Sequence, residues 1–127
     1  MAKILVIDDD VDFVEAMITL LEAKGYEVIT AENGKVGFDK AKAELPALIF
    51  LDVMMTNKSE GFDIARNLKQ EIVTKNIPVV IITGIRKDMN IPFSFQADED
   101  WLPVKAVLEK PVKPEIVLKT VEEYVKK

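Results

Sequence analysis

Four short apolar runs of this chain end in groups suited to phosphoryl chemistry. KILVIDDD ends in Asp8, Asp9 and Asp10, ALIFLD in Asp52, PVVIIT in Thr83, and AVLEKP in Lys110 followed by Pro111. Clustered carboxylates repel one another, and burial disfavours their charged form. A divalent cation relieves both costs, and magnesium favours oxygen ligands such as carboxylates, water and phosphate oxygens. Asp8, Asp9 and Asp52 are therefore candidate magnesium ligands. A carboxylate held at the end of a strand can also attack a phosphoryl group and form an acyl phosphate, which makes Asp52 the candidate acceptor. Such a transition state spreads charge over three equatorial oxygens, so catalysis is positioning plus neutralisation. Magnesium would take one oxygen, Lys110 another, and the Thr83 hydroxyl or a loop amide the third. The simpler reading, that acids after strands cap helices, suits Asp10 and Asp12. It extends in part to Asp8, and it does not explain Lys110 and Thr83.

These residues need elements that bring their strand ends together. The apolar runs are short and rich in branched side chains, as strands buried on both faces are. Strands are predicted at Lys3–Asp8, Glu27–Ala31, Ala47–Asp52, Pro78–Thr83 and Ala106–Glu109. The first helix carries Val14, Met17, Ile18 and Leu21 on one face and stops at Gly25. The turn Glu32-Asn33-Gly34 leads into a second helix that ends about Leu45, before Pro46. A third helix is predicted to start near Gly61, with Phe62, Ala65 and Leu68 inward. The last begins near Pro114, a residue favoured in a first turn, and buries Val117, Leu118, Val121 and Val125. Strands separated by helices imply a parallel sheet with right-handed crossovers, and ligands of such sheets bind beyond the carboxyl ends of the strands. The stretch 85–103 has little helical period and reads as a long loop. Loops of that length in compact domains are usually functional or mobile.

Composition narrows the function classes. A chain of 127 residues builds one domain with one core, expected over 1–127. A net charge of -5 argues against a nucleic-acid surface, which needs a basic patch. No apolar run approaches membrane-spanning length and no cleavage site follows the MAKILVI start, so a cytoplasmic protein is expected. The sequence contains neither cysteine nor histidine, which removes disulfides, thiolate or imidazole metal sites and Ser-His catalysis. The remaining donors are oxygen ligands, which favour a hard cation.

The acidic pair Asp8-Asp9, the segment Leu51-Asp52-Val53-Met54-Met55, Thr83-Gly84 and Lys110-Pro111 together resemble the receiver domain of two-component response regulators, over essentially the whole chain. The resemblance implies an α/β fold with a doubly wound five-stranded parallel sheet in the flavodoxin-like order 2-1-3-4-5. It implies that Asp52 accepts a phosphoryl group from a histidine kinase, a phosphotransfer protein or a small donor such as acetyl phosphate. Asp8, Asp9, Asp52 and the Met54 carbonyl would hold Mg2+, and Thr83 and Lys110 would contact the phosphoryl group and relay its presence. The receptive surface in the family is the face of its fourth helix, fifth strand and last helix, where a downstream protein binds and where dimers often form. A monomer or weak dimer is expected here. The chain ends with its last helix, so a stand-alone receiver acting by protein contact or by passing phosphate onward is expected.

This sequence departs from the family pattern in four ways. Thr56 stands where a proline is usual, and the loop reads one residue longer before Gly61. Val107 replaces the aromatic residue usual three positions before the lysine, so the common rotamer switch is absent. The segment from Thr83 to Lys110 is long and irregular, with Phe93, Phe95 and Trp101 in place of a regular fourth helix. With Val107 these aromatics form the candidate partner surface. Either they repack when Asp52 is phosphorylated, taking over the missing switch, or they simply cover the sheet edge. Met54 and Ile85, each two residues beyond Asp52 and Thr83, offer an attacking water no hydrogen bond, so slow self-dephosphorylation is expected.

Rival readings fit less well. An aspartyl-nucleophile phosphatase usually carries a second acid two residues after the nucleophile, where this chain has Met54. A receiver-like adaptor without phosphorylation would suit a chain that had lost an acid or Lys110. A flavodoxin-like cofactor domain would need a glycine-rich loop where the acids stand.

Overall fold

The computed structural model describes residues 2–52, 58–83, 106–109 and 112–125. Its elements are β1 (Lys3–Ile7), α1 (Val11–Glu22), β2 (Glu27–Ala31), α2 (Gly34–Glu44), β3 (Leu48–Asp52), α3 (Lys58–Gln70), β4 (Val79–Thr83), β5 (Ala106–Glu109) and α4 (Pro114–Tyr124). The strands form one five-stranded sheet in the order β2-β1-β3-β4-β5, and every pairing is parallel. The sequence reading of strand number, direction and order holds.

Strand alternation sends successive side chains to opposite faces, and the core divides accordingly. Leu5, Ile7, Ile49, Leu51, Val79 and Ile81 pack beneath Ala41 of α2 and Ala65 and Leu68 of α3. Ile4, Val6, Leu48, Phe50, Val80 and Ile82 pack beneath Met17 and Leu21 of α1 and Val117 and Val121 of α4. Burial on both faces explains why β1, β3 and β4 read as continuous apolar runs.

Local signals set the helix ends. Asp10 caps α1, its side chain accepting from the Phe13 N–H. Asp12 lies in the first turn, where the helix dipole favours an acid. Gly25 takes the left-handed conformation after α1 (φ 89°) that glycine adopts at no steric cost. Asn33 caps α2 through the Val36 N–H. The C-cap of α2 is Leu45, a left-handed non-glycine residue at φ 49° before Pro46. One boundary differs from expectation: α3 begins at Lys58 rather than near Gly61. Lysine and glutamate are good helix formers, so a helix that includes Lys58 and Glu60 runs through the glycine instead of starting at it. Leu118, expected in the core, is only partly buried.

Candidate functional site

The parallel register builds the site. Ile7 of β1 pairs with Leu51 of β3. The next residues, Asp8 and Asp52, therefore emerge side by side at the carboxyl edge of the two central strands. Both are 3% exposed, whereas Asp9 is exposed. Asp8, Asp9 and Asp52 each present a carboxylate oxygen, and the three oxygens lie within 4.8 Å of one another. Positions 44 residues apart in sequence thus meet, as the strand-end argument required.

Asp8 is held from two directions. Its backbone N–H donates to the Ala31 carbonyl at 2.9 Å, continuing the β1–β2 ladder past its last pair. Its Oδ1 accepts the Asp10 N–H at 2.9 Å, which ties the carboxylate to the turn entering α1. The two acids differ in setting: Asp8 is buried and braced, and Asp9 stands at the solvent edge. An open cleft of about 140 Å³ adjoins both acids. It is lined by Val11, Val14 and Glu15 of α1 and by Thr30, Ala31 and Glu32 at the end of β2.

Thr83 ends β4, one position beyond Ile82, which pairs with Asp52. It pairs in turn with Glu109, the residue before Lys110. Val107 lies in β5 opposite Ile81. Met54, Phe93, Phe95, Trp101 and Lys110 fall outside the described residues, as does Ile85. The cleft residues of β2 had no signal in the sequence, because Thr30, Ala31 and Glu32 read only as a strand end and a turn.

The donor set fits a hard divalent cation. It consists of carboxylate oxygens, two of them buried, in a chain without histidine or cysteine. Among the described residues no helix is long and apolar enough to cross a membrane.

Comparison with known proteins agrees with this geometry. A family model described as the response regulator receiver domain matches residues 4–122. Response regulator PleD of Caulobacter vibrioides is 46% identical over 88 residues, which cover 66% of this chain and 18% of PleD. The chain thus spans less than a fifth of that relative's length. Protein PilH of Pseudomonas aeruginosa is 34% identical over 124 residues, covering 95% of both chains. A CheY-like receiver domain protein from Methanospirillum hungatei superposes with a TM-score of 0.82 over 98% of this chain and 94% of its own, at 24% identity. That last likeness carries the fold.

Proposed function

The chain belongs to the response regulator receiver domain family, and from that premise we propose a phosphorylation-controlled switch of a two-component system in which Asp52 is the phosphoacceptor. The observation that carries this reading is the buried Asp52 carboxylate at the end of a central strand, grouped with Asp8 and Asp9. The whole chain, 1–127, would act as one receiver domain in the cytoplasm.

A carboxylate oxygen of Asp52 attacks phosphorus as the P–N bond of a phosphohistidine, or the P–O bond of acetyl phosphate, breaks. The bonding electron pair leaves with the imidazole, which takes up a proton, or with acetate. The product is an acyl phosphate on Asp52. Strand β3 contributes rigidity, since a nucleophile on a buried strand keeps its aim. Asp8, Asp9, Asp52 and the Met54 carbonyl would hold Mg2+, which when bound neutralises charge on the transferring group. The Thr83 hydroxyl and the Lys110 ammonium would contact the phosphoryl oxygens.

The donor would be a histidine kinase or phosphotransfer protein. The response would reach a downstream protein through the surface of Phe93, Phe95, Trp101 and Val107. The protein itself turns over no separate substrate. Its acyl phosphate would decay slowly, because Met54 and Ile85 offer water no hydrogen bond.

The test is intact-mass measurement after incubation with magnesium and acetyl phosphate, beside Asp52→Asn. Gain of one phosphoryl group by the wild type alone supports the reading. Equal gain by both proteins refutes Asp52 as the acceptor. No gain by the wild type, repeated with a phosphorylated histidine phosphotransfer domain as donor, favours an adaptor without phosphorylation.

A further inference from the structure

We infer that Gly37 is a positioning residue for the Asp8 carboxylate. The inference rests on reading the acid cluster as a divalent-cation site. Gly37 is buried in the first turns of α2, directly over Ile7, the last residue of β1. A Cβ on Gly37 would lie 2.6 Å from Cγ1 and 3.0 Å from Cγ2 of Ile7, and closer still to its Cδ1. Ile7 cannot turn aside. It is β-branched and fully buried, and its backbone is paired with Ala31 on one side and Leu51 on the other. A side chain at position 37 must therefore displace either the end of β1 or the first turns of α2.

Both displacements reach the acid site. Moving Ile7 moves Asp8, its neighbour in the chain. Moving α2 outward pulls on the end of β2, to which the helix is tied twice. Asn33, its cap, lies two residues after Ala31, and Lys40 Nζ donates to the Thr30 carbonyl at 2.6 Å. The Ala31 carbonyl holds the Asp8 N–H. Absence of a side chain at 37 is thus what lets α2 settle onto β1 while Asp8 stays beside Asp52. Nothing about chemistry at the metal explains a glycine in mid-helix, where it lowers helix propensity.

The experiment uses Mn2+ as a probe of the acid cluster, with the free ion counted by electron paramagnetic resonance. Gly37→Ala should weaken Mn2+ binding by about ten-fold or more, as outer-shell changes do. Ala41→Gly, on the same helix and with no overlap on Ile7, should leave the affinity unchanged. Adding Ile7→Ala to Gly37→Ala removes all three overlapping atoms and should recover most of the loss. A folded Gly37→Ala with wild-type affinity overturns the inference, as does a folded double variant that binds no better than the single one. If Gly37→Ala fails to fold, the double variant is measured against the wild type: wild-type affinity supports the inference, and a folded double variant that binds about ten-fold more weakly overturns it. A wild type that binds no Mn2+ refutes the cation site itself. The amide resonance of Asp8 then tests the positioning without metal: a shift in Gly37→Ala but not in Ala41→Gly supports it, and no shift overturns it.

Discussion

Replacing Asp52 with Asn should make the metal-free protein more stable. The carboxylate oxygens of Asp8 and Asp52 lie within 4.8 Å, and both residues are 3% exposed. Two unit charges at that distance repel by about 3.5 kcal/mol at an effective dielectric of about 20. Burial limits the relief that salt can provide. Asparagine keeps the shape and one acceptor oxygen. It loses the extra strength of hydrogen bonds to a charged group, an offset of about 1–2 kcal/mol. The net gain is about 2 kcal/mol, or about 1 M in urea midpoint for a protein of this size. The assay is urea unfolding followed by far-UV circular dichroism with a chelator present. Saturating magnesium should then raise the wild type, since a ligand at about 100 times its Kd adds about 2.7 kcal/mol, and should raise Asp52→Asn far less. A variant with the same midpoint as the wild type in chelator, or a lower one, would refute the idea that these acids are held together against their repulsion.

Other expected outcomes test separate parts of the structure. Phe50→Ala empties the centre of one core half, where Phe50 is 1% exposed; it should cost about 3–5 kcal/mol in urea unfolding. Asn33→Ala removes the cap of α2 and should cost about 1 kcal/mol by the same measurement. Met54→Asn and Ile85→Glu should each shorten the life of the acyl phosphate, followed as loss of the phosphorylated mass, and unchanged decay in both rejects water exclusion. Trp101 is the single tryptophan. Its fluorescence should change when beryllofluoride and magnesium are added, and a constant signal would favour aromatics that only cover the sheet edge.

Much of this protein was legible because its signals are local. A strand buried on both faces must be apolar throughout, so Leu48–Leu51 announced itself and placed Asp52 at its end. Capping groups act within three residues, so Asp10 could be read directly, whereas Asn33 read only as a turn residue and its capping of α2 came from the structure. The start of α3 was misplaced because a glycine in mid-helix resembles a helix boundary when seen in one dimension. Gly37 escaped notice for a related reason. Its role lies in an approach to Ile7, a residue 30 positions earlier, and no local pattern records that distance.

The division follows from the range of the forces involved. Hydrophobic alternation, caps and turn residues act along the chain, and they alone determined that strands and helices alternate and that acids, hydroxyl and lysine stand at strand ends. Which ends meet depends on sheet order and register, set by packing between segments far apart in sequence. Only the tertiary structure brought Asp8 and Asp52 to neighbouring strands, buried both, and left Asp9 at the water's edge. A carboxylate's accessibility depends on everything packed around it, and that is a property of the assembled sheet.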